Sequence, residues 1–220
     1  CPESRGLGDV YKRQGYNCNM KKSEQTKIEL MNTLIRLKDN GKKISVTSIS
    51  KEAGSAYGTF YRYFNNLDEI HEAAIIQFVL DRAEKLDAEL KKEKSNLFKL
   101  YYGWFVGIDL YQDEYTANWL IEHPASINEA WILTRPMTST WLQNAIDQKE
   151  EPNLNENNLL HFKMASLYIH WTYQNALREL LRGRKSIEVY TDLMTSVNLL
   201  DLPRKTHQKY LQKVADYAEN

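Results

Sequence analysis

Cysteine is nearly absent: the 220-residue chain has two, Cys1 and Cys18, and none beyond them. A disulfide framework or a thiolate metal site is therefore excluded for residues 20–220, since both need several cysteines. Glycine and proline are also scarce, at nine and five residues. An all-β sandwich needs many tight turns, so that class is disfavoured. Long hydrophobic runs are missing too. The longest, such as Ala73-Ala74-Ile75-Ile76, fall far short of the ~18 residues that span a bilayer. No basic-then-apolar leader is seen, and the expectation is a cytoplasmic protein with no membrane partner. Neither sign of charge is in excess, with 29 Lys and Arg against 29 Asp and Glu. Apolar residues at 42% and charged residues at 26% suffice for a core and a solvated surface, which excludes a disordered chain. What remains is a mostly helical protein.

The charge is unevenly placed. Residues 20–66 hold nine Lys and Arg, Lys42 and Lys43 among them, against four Asp and Glu, a net +5; residues 67–220 carry −6. A basic front segment on an acidic body suggests a polyanion-binding module joined to a part with another task. Residues 1–19 stand apart. Cys1–Gln14 has no periodicity and is similar to translated sequencing-adapter read-through. A non-native or disordered extension is expected there, with Met20 as the start.

Hydrophobic spacing places the helices. Ile28, Leu30, Met31, Leu34, Ile35 and Leu37 form the apolar face of a helix over 24–39, which Gly41 ends. Ser45 is a good N-cap for a second helix through Ile49 to Ala53, stopped by Gly54. A third is expected from Ala56 to Phe64, broken by Asn65-Asn66, and a long fourth from Leu67 to about Lys94. Further on, Leu97, Leu100, Trp104, Ile108 and Tyr111 recur at helical spacing. Pro124, Pro136 and Pro152 are expected to separate shorter helices. Residues 157–182 suggest one long helix apolar on two faces; Ser186 is expected to cap another, to Leu202, and 205–218 form a polar last helix.

Two short helices meeting across Gly54, with a basic helix before them, form a helix-turn-helix pattern. The third helix would then present its first residues to a DNA major groove, which is wide enough for a helix. The run at 45–70, SVTSISKEAGSAYGTFYRYFNNLDEI, resembles the DNA-binding segment of the TetR family of transcriptional repressors. The resemblance rests on Val46, Ile49, Ala53, Gly54, Gly58, Thr59, Phe60, Tyr61, Tyr63 and Phe64, with Ser45 in place of Thr. Departures are Ser55-Ala56 in the turn, Ser50 for a small Ala, Tyr57 where a basic or amide residue is commoner, and Leu67 for a Lys. Asn65 or Asn66 would partly replace the phosphate contact of that Lys.

The resemblance implies an all-α fold, with a three-helix DNA-binding domain at 20–66 and a larger ligand-binding and dimerisation domain at 67–220. It puts Tyr57, Gly58, Thr59 and Tyr61 at the groove-facing start of the recognition helix. Thr47 would reach toward bases, and Ser45, Ser48 and Tyr63 toward phosphates. Lys42 and Lys43 would add affinity without sequence information. The implied partners are double-stranded DNA, a second copy of the chain and a small effector, apolar or aromatic.

The larger domain holds all five Trp. An aromatic-lined cavity with a few polar groups is a common small-molecule site. Candidates are Tyr101, Trp104, Phe105, Trp119, Tyr168 and Trp171, with His123, His170 or Gln174 as polar partners. Helix 157–182 and the stripe Val189, Leu193, Val197 and Leu200 are expected to pair with a second copy as a four-helix bundle.

An enzyme is the main alternative. No two of His71, His123, His161, His170 and His207 are spaced i, i+4, and no Gly-x-Ser-x-Gly or phosphate loop is present. Glu150-Glu151 reads as solvated loop. No catalytic residue, metal ligand or cofactor is expected. A nonspecific basic helical DNA-binding or scaffold module is the other alternative.

Overall fold

The computed structural model describes the backbone of residues 22–112, 114–165 and 169–219, and the side chains of 22–112, 116–164 and 172–219. Every regular element among them is helical, and none of these helices is long and apolar enough to cross a membrane. The chain divides into two compact units between Asp81 and Arg82.

The first unit contains α1 (Lys22–Asp39), α2 (Val46–Glu52), α3 (Tyr57–Phe60) and the start of α4 (Leu67–Glu89). Leu30, Met31, Leu34 and Leu37 of α1 bury one stripe against Ile49, Phe60, Phe64, Ile70 and Ala74. α3 is shorter than the spacing suggests, since only four residues are α-helical and the chain then turns through Tyr61–Tyr63. So short a helix has no stability alone. Phe60, 0% exposed, holds it in place, because burying a Phe contributes roughly 1.5–3 kcal/mol.

Ser50 of α2 is buried in this unit and its Oγ has no hydrogen-bond partner. Ser50→Ala removes that cost without opening a large cavity. It is expected to stabilise the unit by about 1 kcal/mol, read as a higher urea midpoint; a lower midpoint would contradict this.

The second unit contains the rest of α4, a 3-10 turn (Leu90–Lys92), α5 (Asn96–Asp109), α6 (Glu114–Glu122), α7 (Pro124–Asp147) and α8 (Glu156–Ala165). It continues with α9 (Ile169–Leu181), α10 (Ser186–Ser196) and α11 (Arg204–Ala218). α5 is the central element, packed against α7, α9, α10 and α11. Its buried residues, among them Leu97, Tyr101, Trp104 and Ile108, cover several faces, which only a surrounded helix can bury.

Four local expectations are corrected. Pro136 does not end a helix but lies inside the continuous α7. Proline there has no N–H to give the carbonyl of Ile132, a residue that is 50% exposed. Ser186 is the first residue of α10 and not its cap; its hydroxyl donates to Asp109 Oδ1 at 2.5 Å. α10 ends at Ser196, short of Leu202. Of the stripe expected at a dimer interface, Val189 and Leu200 are buried within the unit, and Leu193 and Val197 are half-buried.

Glu150 is the fourth. It is no solvated loop residue but a helix cap. Its carboxylate accepts the backbone N–H of Asn96 at 2.6 Å and of Leu97 at 3.1 Å, and the Ser95 hydroxyl at 3.0 Å. An anion at the start of α5 is also favoured by the helix dipole. Lys149, with φ of 53°, turns the chain at the end of α7 and directs Glu150 there. Glu151 accepts from Lys209 Nζ at 2.6 Å and Tyr210 Oη at 3.1 Å.

Candidate functional site

In the first unit, the two-helix turn is built by caps. Ser45 Oγ accepts from Ser48 N at 3.1 Å, and Ser48 Oγ accepts from Ser45 N at 2.9 Å, a reciprocal capping box. Ser48 Oγ also donates to the carbonyl of Lys43 at 2.8 Å. Both hydroxyls thus have work inside the protein besides any phosphate. At the other end, Gly54 takes φ of +62°, with Gly54 N donating to Lys51 O and Ser55 N to Ser50 O. This paired arrangement needs a left-handed residue, which glycine supplies without steric cost.

α3 carries an exposed aromatic pair. Tyr57 and Tyr61 are 54% and 47% exposed, their rings pack edge to face at 5.4 Å, and their hydroxyls are 3.1 Å apart. The hydrogen bond with Tyr57 raises the Tyr61 pKa above the ordinary tyrosine value. Gly58 between them is exposed, with open space where a Cβ would stand, so another backbone can approach closely. Thr59 is half-buried, and Tyr63 packs against the core. Thr47 is exposed on α2.

Lys42 and Lys43 are exposed, with Lys42 Nζ 3.5 Å from Glu52. Lys51 lies on the same helix as Thr47. It is exposed on α2 and i+4 from Thr47, a spacing that shares one helix face and was available as a signal. Asn65 and Asn66 are committed locally. Asn66 Oδ1 accepts from Glu69 N at 2.8 Å, and Glu69 accepts from Asn65 N at 2.7 Å. They cap α4.

In the second unit, the rings of the candidates Tyr101 and Trp104 lie 5.2 Å apart. Tyr101 is 0% exposed; its hydroxyl donates to His207 Nδ1 at 2.6 Å and its carbonyl accepts from Tyr190 Oη at 3.0 Å. Phe105 packs on the Tyr190 ring at 5.6 Å. Trp119 stacks on His123 at 4.2 Å, and His123 Nδ1 is 2.9 Å from the Trp119 carbonyl. Gln174 donates to the Ile121 carbonyl at 3.4 Å. Tyr168 and the side chains of His170 and Trp171 lie outside the described residues.

Trp104 lines a recess in this unit. The recess runs between Trp104 and Ile108 of α5, Thr172 and Tyr173 of α9, and apolar residues from Leu193 to Leu199. Its free volume is about 10 Å³, on the order of one water. Burial raises the Tyr173 pKa well above the ordinary range. A Cβ on Gly107 would stand 2.5 Å from the Tyr173 hydroxyl, so glycine is what lets that ring sit against α5.

No family model matches the sequence, and no curated protein does either. A solved structure of RolR in complex with resorcinol is similar in fold. The identity is 13% and the TM-score 0.65, over 86% of this chain and 94% of that one. The chain therefore shares the fold of RolR through most of both chains.

Proposed function

We propose that the chain is a ligand-responsive transcriptional regulator of the TetR type, a repressor that binds a palindromic operator as a homodimer in the cytoplasm. The observation that carries this is the capped α2–Gly54–α3 turn with Tyr57, Gly58, Tyr61 and Thr47 exposed together. Exposed aromatic hydroxyls on so small a unit suit base edges and phosphate oxygens. The reading assigns DNA binding to residues 20–66 and effector binding and dimerisation to 67–220. Shared fold with RolR supports it, and the resorcinol in that complex is a small neutral aromatic, in keeping with the effector class.

The effector acts by population shift. Each half-site is ~34–36 Å from the next, or a multiple of it. Ligand in the larger unit favours a spacing of the reading heads that misses the operator, with coupling of ~1–3 kcal/mol. Ser45 and Ser48 then hold α2 in register first, and touch phosphate only through what their caps leave free.

The second copy is assigned to α8. Leu160 and Met164, one turn apart, are 61% and 56% exposed. An i, i+4 apolar pair on a free helix face is suited to its own symmetry mate. Leu160→Asp with Met164→Asp is expected to give a folded monomer in sedimentation equilibrium; an unchanged dimer would move the interface elsewhere.

Competition decides between this reading and a nonspecific basic module. Full chain is bound to labelled random duplex DNA at rising salt against unlabelled bulk DNA. A regulator retains a small sequence-selected fraction at physiological salt, whereas a nonspecific module loses all binding uniformly.

A further inference from the structure

Asn40 is the only asparagine in the sequence that is followed by glycine. The pair closes α1. Gly41 takes φ of +60° and donates its N–H to the Lys38 carbonyl at 2.9 Å, while the Lys42 N–H reaches the Leu37 carbonyl at 2.9 Å. A glycine in this left-handed conformation ends a helix while satisfying its last carbonyls. The Asn40 side chain adds to that ending, because Nδ2 donates to the Arg36 carbonyl at 2.7 Å. Asn40, Gly41, Lys42 and Lys43 are all exposed. No described atom beyond the adjoining residues lies within 4 Å of where a Gly41 Cβ would stand. The Gly41 nitrogen, with no side chain beside it, is therefore open to react. Its nearest electrophile is the Asn40 side-chain carbon, which it meets by closing a five-membered ring.

We propose that Asn40 with Gly41 is a self-modifying site, whose aspartate and isoaspartate products loosen the end of α1 and weaken DNA binding by residues 20–66. The loss of DNA binding rests on the DNA-binding reading of that unit; the modification does not. Water is the only co-reactant. When the last turn of α1 frays, Asn40 Nδ2 leaves the Arg36 carbonyl and the Gly41 N–H leaves that of Lys38. Gly41 N then attacks Asn40 Cγ. The N–Cγ bond forms, the Cγ–Nδ2 bond breaks, and Nδ2 departs as ammonia with the proton that Gly41 N gives up. Water opens the cyclic imide at Cγ to give aspartate, or at the main-chain carbonyl to give isoaspartate. Neither carboxylate can donate to Arg36, and a negative charge at a helix C-terminus opposes the helix dipole. The new charge also lies two residues from Lys42 and cuts the +5 of residues 20–66 by one. Isoaspartate further routes the main chain through the side chain, which breaks the register of the Gly41 and Lys42 bonds.

The test holds the full chain at mildly alkaline pH, then maps its peptides by mass spectrometry, with isoaspartate read by enzymatic methylation. Asn40 is expected to convert before any other asparagine, with isoaspartate exceeding aspartate. Asn40→Gln, whose ring closure needs a larger ring, is expected to stay unmodified and to bind DNA as the wild type does. Asn40→Asp reproduces one product. It is expected to lower the urea midpoint and to bind labelled random duplex DNA about fivefold more weakly than the wild type at the same salt. An Asn40 that outlasts the other asparagines, an unchanged midpoint for Asn40→Asp, or equal DNA affinities in chains that bind would overturn the proposal. Conversion at Asn40 in a wild-type chain that binds no DNA would refute the DNA-binding reading alone. DNA binding without conversion at Asn40 would refute this site alone.

Discussion

Raising the pH from about 9 to about 11 is expected to weaken the second unit steeply, so that it unfolds at a markedly lower urea concentration, with tyrosinate absorbance rising as it unfolds. Burial holds the hydroxyls of Tyr101, Tyr111 and Tyr190 well above the ordinary tyrosine pKa. Tyr210 is pushed up to about 12, mainly by burial. In the unfolded chain each ionises near 10. Below that pH both states hold these protons, and the tyrosines add no pH dependence. Above it the unfolded state holds fewer, so stability is lost as pH rises. By pH 11 each fully buried tyrosine removes about 1.4 kcal/mol, and Tyr101, Tyr111 and Tyr190 together about 4 kcal/mol. That is a large part of a typical domain stability of roughly 5–15 kcal/mol. A smooth titration of all 14 tyrosines with an unchanged helical signal would contradict this.

His207→Leu is expected to cost about 3 kcal/mol. His207 of α11 is 4% exposed and bridges two helices: Nδ1 is 2.6 Å from the Tyr101 hydroxyl on α5, and Nε2 is 2.6 Å from the Met194 carbonyl on α10. A carbonyl can only accept, so Nε2 carries the proton and Nδ1 accepts from Tyr101. Leucine fills much of the volume but leaves a hydroxyl and a carbonyl buried without partners. Tyr101→Phe removes only one side of the array and is expected to cost about 1–2 kcal/mol. The double variant falls short of the sum, because both single variants break the same bond. A His207→Leu loss below about 1 kcal/mol in urea unfolding would mean that the array is not what joins the three helices.

The two-helix turn of the first unit was the most legible part of the sequence, because its determinants are local. Ser45, Ser48 and Gly54 act within a few residues of one another, and their caps follow from side-chain chemistry and backbone sterics. The extent of α3 was not legible. Phe60 anchors it against α1, and nothing between Ala56 and Phe64 says where tertiary support stops. Glu150 was hidden for a related reason: its partner Asn96 is 54 residues away in the sequence. Pro136 misled because a proline's cost depends on whether the freed carbonyl meets water, and hydropathy spacing does not show that. In the larger unit, aromatic spacing identified a core without saying which ring lines a recess.

The central claim is sequence-specific DNA binding by a symmetric pair of reading heads. Selection from random duplex DNA by residues 20–220, with the bound sequences read out, tests it most directly. The account predicts a palindrome whose half-sites lie a helical turn or more apart, and a relaxed preference for Tyr57→Ala. Recovered sequences with no symmetry and no consensus would contradict it.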